Sequence, residues 1–150
     1  MAQNHEQETG GTGPGHRSIS MGRSGSGTYL VTNARGGTIS IGSGESDDFT
    51  PVELLLTAIA GCTSLDVEAI TSKRTEATRF DVRMTGDKIR DELGNRMTNL
   101  VLTLDVEFPD DEEGAVATER LPKALAQSHD RLCSVGRTVQ IGTPIDAGLT

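Results

Sequence analysis

Aromatic residues are nearly missing from this 150-residue chain: Tyr29, Phe49, Phe80 and Phe108 are all it has, and there is no tryptophan. Stacking platforms for bases or sugars are therefore not expected. Basic residues are outnumbered, 14 against 22 acidic, for a net charge of −8. Phosphate recognition needs a basic stripe, so no nucleic-acid partner is expected, and the acidic balance serves solubility. No apolar run reaches membrane-spanning length, and the N-terminus lacks a basic segment followed by an apolar one. Neither a membrane partner nor a secretory leader is expected, and a cytoplasmic location with reduced thiols follows as the default. Cysteine is scarce too. Cys62 and Cys133 are too few for a disulfide scaffold but enough for a redox pair.

Glycine is plentiful at one end. Residues 1–27 hold seven glycines and few apolar residues, and include His5 and His16. Such a segment cannot offset its ordering entropy by burial, so 1–27 is expected to be a disordered tail and 28–150 the folded domain. Two histidines in a glycine-rich coil make a weak metal signal.

From Thr28, "TYLVTNA" and "GTISIG" flank Ala34–Gly37 as two short strands around a β-turn. Thr50-Pro51-Val52-Glu53 is a capping box with proline at the first helical position, opening a helix to about Ser72. Leu54, Leu55, Leu56, Ala58, Ile59 and Ala60 cover most of its circumference, which predicts burial on all sides. Gly61 removes a side chain where another backbone or a ligand could approach.

"RFDVRMTGD" and "LVLTLDVEF" alternate apolar and polar residues around "DELGN", predicting an antiparallel hairpin. "PDDEEG" reads as an acidic loop, residues 115–132 as a second helix with Pro122 in its early turns, and "RTVQIG" as a last strand. The expected class is α+β with antiparallel sheets.

By composition, a thiol in an apolar helix is packing, and burial raises its pKa. Its own helix terminus is too distant to help. A reactive Cys62 therefore needs a cation from elsewhere, and Arg35 at the β-turn is the candidate, although a hairpin arginine is ordinarily solvated. Glu53 lies nine positions before Cys62, roughly 13 Å along the axis and on the opposite face. It could serve Cys62 only from another subunit, or act only as a cap. Asp66 shares the face of Cys62, and its charge opposes a thiolate. Zinc held by Cys62, Cys133 and His129 would lack a fourth ligand, so no metal is expected.

Together, "FTPVELLLTAIAGCTSLDV" at 49–67, Lys73-Arg74 and the distal "SHDRLCSVGRTVQIG" at 128–142 resemble the OsmC/Ohr family of thiol-dependent peroxidases, over about residues 28–142. The resemblance implies antiparallel sheets wrapped around long central helices in an intertwined homodimer. It implies that Cys62 attacks hydrogen peroxide or an organic hydroperoxide and becomes a sulfenic acid. Cys133 then resolves this as a disulfide, which an external dithiol reduces, and no cofactor is required. Arg35 in "NARGG" matches the family's hairpin arginine. The family glutamate corresponds to Glu53, one place later than in the peroxidases because Val52 follows Pro51. The wording around both cysteines fits a less characterised branch. The residues themselves leave two alternatives open: a dimeric module binding a small hydrophobic ligand with idle thiols, and a dimeric scaffold.

Overall fold

The structure is a computed structural model that describes residues 15–150. The expected tail lies partly outside the described residues, His5 included. Within the described part, the tail assignment is corrected: Ile19–Gly25 forms strand β1, so ordered structure starts before Thr28.

The chain divides into two compact units, the first ending at Leu54 and the second starting at Leu55. In the first, β1, β2 (Thr28–Asn33) and β3 (Thr38–Ile41) form an antiparallel sheet in that order. Tyr29 pairs with Ile41, and Thr32 with Thr38. The β2–β3 turn follows the sequence: Gly36 takes φ 89°, and the Asn33 side-chain oxygen accepts the Arg35 and Gly37 amides, each at 3.0 Å. Helix α1 (Pro51–Thr71) begins in this unit. The capping box forms reciprocally: the Glu53 amide donates to Thr50 Oγ1 at 3.3 Å, and the Thr50 amide donates to Glu53 Oε2 at 3.4 Å.

The second unit holds the rest of α1, the hairpin of β4 (Arg79–Asp91) and β5 (Gly94–Glu107), helix α2 (Glu112–Gln127), a π-helical turn at Ser128–Leu132 and helix α3 (Ser134–Ile141). Gly94, with φ 99°, turns the hairpin. The fold is α+β with antiparallel sheets, as expected, but three of its details differ.

The "acidic loop" is the start of α2. Asp111 is its N-cap and accepts the Gly114 amide at 2.8 Å, with Glu112 and Glu113 in the first turn facing the positive helix end. Pro122 therefore falls in the helix interior rather than its early turns. The "last strand" is α3, closed by Gly142 in the left-handed conformation at φ 68°.

The burial of α1 is the third difference. Within the chain it buries one stripe, Ile59, Thr63, Val67 and Thr71, at a spacing of four. The expectation of burial on all sides fails for the single chain: Leu65 is 68% exposed, and among the described residues nothing approaches within 4 Å of the point where a Gly61 side chain would begin. Helix α1 is 21 residues long and holds an 18-residue window of mean hydropathy 1.4, so it is long and apolar enough to cross a membrane by length and composition, contrary to the reading of apolar runs. Its buried stripe packs in the second unit, and its Asp66 accepts a hydrogen bond from Ser128 in the π-helical turn.

Candidate functional site

Residue 62 sits in the middle of α1, and residue 133 lies at the junction between the π-helical turn and α3. Hydrogen bonding makes this junction. The Cys133 amide donates to the Ser128 carbonyl at 2.9 Å, closing the wide turn, and the chain then becomes extended at φ −70°, ψ 98°. Cys133 is thereby the N-cap of α3. Its sulfur takes the place of the usual capping oxygen and accepts the Gly136 amide at 3.2 Å.

This placement turns Cys133 back toward α1. Its side chain is 1% exposed, and the Thr63 hydroxyl, on the buried stripe, donates to its sulfur at 3.7 Å. Cys62 is half-buried, and both cysteines are free thiols. The two sulfurs and a carboxylate oxygen of Asp66 all lie within 4.8 Å of one another. The Asp66 carboxylate is oriented by Ser128, fully buried, whose hydroxyl donates to Oδ2 at 2.8 Å.

The electrostatics act on Cys62 in opposite directions. Burial pushes its pKa up, the Val135 backbone N–H pulls it down, and Cys133 and the Asp66 charge push it up again; the net direction is upward. The influence of Val135 has no signature in the sequence, because it depends on where α3 begins. Both influences come from the first turn of α3: the Val135 backbone N–H lowers the Cys62 pKa, and the Gly136 amide donates to the Cys133 sulfur. A helix N-terminus thus serves both sulfurs, although the helix that carries Cys62 offers it none.

The other expected residues fall elsewhere. Arg35 and Glu53 belong to the first unit, Arg35 at the β2–β3 turn and Glu53 in the capping box. His129, weighed as a third ligand beside the cysteines, is exposed: its Nδ1 pairs with Asp130 at 2.9 Å, and its Nε2 faces the Gln140 amide at 3.3 Å. Asp66 takes that third place, with Ser128 behind it. Spacing supplied the signal for Asp66, one turn from Cys62. None pointed to Ser128, whose role depends on the π-helical turn.

Beside Cys133 the second unit has a partly open pocket of about 700 Å³. Its wall is mostly apolar, including Ile59, Met84, Leu100, Leu102, Leu125 and Val139, with the Cys133 side chain among the lining groups.

A family profile described as OsmC-like protein matches residues 43–147. An uncharacterised protein of Mycobacterium tuberculosis strain H37Rv is 28% identical over 126 residues, covering 83% of this chain and 89% of that one. The OsmC-like protein of Mycoplasma pneumoniae superposes with a TM-score of 0.66 at 13% identity, over 85% of this chain and 89% of that one. The organic hydroperoxide resistance protein OhrB of Bacillus subtilis superposes with a TM-score of 0.53 at 16% identity, over 84% of this chain and 92% of that one. These structural likenesses establish the fold. With the profile spanning most of the chain and the paired cysteine segments both inside it, the chain belongs to the OsmC-like protein family.

Proposed function

We propose that the protein is a thiol-dependent peroxidase that reduces an organic hydroperoxide or hydrogen peroxide. The observation that carries this reading is the meeting of two free thiols from distant segments, Cys62 and Cys133, at the N-terminus of α3. Neither sulfur needs to travel far to bond the other.

In the proposed cycle the Cys62 thiolate attacks one peroxide oxygen. An S–O bond forms as the O–O bond breaks, and the departing alkoxide or hydroxide takes up a proton. Cys62 becomes a sulfenic acid. The Cys133 sulfur then attacks the Cys62 sulfur; the S–S bond forms, the S–O bond breaks, and hydroxide leaves as water after gaining a proton. An external dithiol reduces the disulfide and is itself oxidised to a disulfide. Cys62 takes the first step because it is the more exposed sulfur. Arg35 is assigned to stabilise the thiolate and the leaving oxygen, and Glu53 to organise that arginine within a homodimer. A cytoplasmic setting, where a dithiol reductant is available, suits the cycle.

The homodimer reading is supported by the unburied circumference of α1, including Leu65 and the open face at Gly61. A peroxide-consumption assay with an excess of dithiol tests the activity: wild type consumes peroxide, and Cys62→Ser does not.

A second reading is favoured by the cavity. Its volume and apolar wall suit a small hydrophobic ligand, which would bind without thiol chemistry. Binding of an apolar fluorophore that is unaffected by Cys62→Ser, with no peroxide consumed by wild type, would select this alternative.

A further inference from the structure

We propose that Cys62, Cys133 and Asp66 form a binding site for a zinc-like divalent cation when both thiols are reduced. The site uses the two sulfurs of the proposed peroxidase cycle but does not depend on that activity.

The donor set and its spacing carry the inference. Two thiol sulfurs and one carboxylate oxygen lie mutually within 4.8 Å. In a tetrahedral zinc site, Zn–S bonds of about 2.3 Å set the sulfurs roughly 3.8 Å apart. The three groups therefore need to close by about 1 Å or less to reach this geometry. Soft thiolates select zinc over calcium or magnesium, and the carboxylate completes a three-ligand face with a fourth position for water.

Three supporting contacts are already in place. Ser128, fully buried, donates to Asp66 Oδ2 at 2.8 Å, which orients the carboxylate beside the two sulfurs. The Gly136 amide donates to Cys133 Sγ at 3.2 Å, and the Thr63 hydroxyl donates to the same sulfur at 3.7 Å. Donors of this kind disperse the negative charge that a metal-bound thiolate gathers. Cys62 and Asp66 are each half-buried, so a cation can approach from their side while Cys133 closes the rear.

One consequence follows from sharing the sulfurs. A metal-bound pair cannot form a disulfide, and a disulfide cannot hold the metal. The cation would therefore protect the thiols in their reduced state, and oxidation would release it, with two electrons passing from the sulfurs to the peroxide.

The test is titration of the full-length, reduced protein with Co²⁺ under anaerobic conditions, followed by displacement with Zn²⁺. Expected are one Co²⁺ per chain, thiolate-to-cobalt charge-transfer bands with tetrahedral visible bands, and bleaching by Zn²⁺. Asp66→Asn should weaken binding by about 100-fold, and Ser128→Ala, which keeps all three ligands, by about 10- to 100-fold. His129→Ala should leave binding unchanged, and protein oxidised to the Cys62–Cys133 disulfide should give no charge-transfer band. Absence of thiolate bands in reduced wild type would overturn the proposal, whatever the peroxidase assay gives. So would binding that is insensitive to both Asp66→Asn and Ser128→Ala in folded protein. Loss of peroxidase activity with retained cobalt spectra would count against the peroxidase alone.

Discussion

Ser128 and Asp66, 62 residues apart, are joined by a 2.8 Å hydrogen bond from a fully buried hydroxyl to a carboxylate oxygen. The bond ties the middle of α1 to the π-helical turn and so holds the two cysteine-bearing segments in register. Hydrogen bonds to charged groups contribute about 1.5–3 kcal/mol, and their loss here leaves a half-buried carboxylate short of a donor. Ser128→Ala should therefore lower unfolding stability by about 2 kcal/mol in urea titrations, with the slope unchanged. It should also slow disulfide closure more than the first oxidation step, which rapid-quench thiol counting separates.

The pH dependence of Cys62 follows from its surroundings. Burial raises its pKa above that of a free thiol, and Asp66 adds to the rise. Because only the thiolate is alkylated, the rate of Cys62 alkylation should climb at higher pH than for free cysteine. Asp66→Asn removes a negative charge that opposes the thiolate, so its curve should shift to lower pH. Iodoacetamide labelling with a chelator present, read by peptide mass spectrometry, checks both directions.

Arg35→Met should move the same curve the other way, to higher pH, and slow peroxide reduction by about tenfold or more. Stability should hardly change, because Arg35 lies at an exposed turn. Coincident alkylation curves for wild type and Arg35→Met would remove the role assigned to this arginine and leave the α3 N-terminus as the source of thiolate stabilisation.

Dimerisation is tested at Gly61. Among the described residues nothing lies within 4 Å of a Cβ at this position, and leucine is a better helix former than glycine. Gly61→Leu should therefore leave the single chain folded. If α1 packs against a second copy there, overpacking of about 1–3 kcal/mol should weaken the dimer by roughly 5- to 150-fold. Sedimentation velocity across a concentration series should show a wild-type dimer and a dissociating variant.

Gly114 gives a contrasting stability prediction. A Cβ there would lie 1.7 Å from the Pro109 carbonyl oxygen, a backbone atom that cannot yield without moving the α2 N-cap. Gly114→Ala should cost about 2 kcal/mol or more, despite alanine's better helix propensity. Thermal unfolding checks this, with Gly148→Ala as a neutral control, since no described residue lies within 4 Å of a Cβ there.

Much of the fold was legible because its signals are local. The Thr50–Glu53 capping box, the Ala34–Gly37 turn and the alternation from Phe80 to Phe108 each specify their element through neighbouring residues. The start of α2 was equally local, since Asp111-Glu112-Glu113 is a capping and first-turn pattern, but the acidic run reads as a loop when the N-cap is overlooked. Helix α3 was not legible in the same way. Val139 and Ile141 alternate as in a strand, and the helix depends on a cysteine serving as its cap after a π-helical turn. Strand β1 lies in glycine- and serine-rich sequence with little burial of its own, and it forms by pairing with β2.

The candidate site divides along the same line. The two cysteines, and Asp66 on the face of Cys62, could be found from sequence, because their chemistry and spacing are explicit. The amides of Val135 and Gly136 and the hydroxyl of Ser128 could not, because they matter through where the chain turns rather than through what they are.

The most direct measurement treats the reduced, chelator-washed protein with one equivalent of an organic hydroperoxide and maps its thiols by mass spectrometry. Wild type is expected to show a single Cys62–Cys133 disulfide, Cys133→Ser a trapped sulfenic acid at Cys62, and Cys62→Ser an unmodified Cys133. Both thiols remaining free in wild type after the peroxide is added, or a sulfenic acid that forms only at Cys133, would contradict the proposed chemistry.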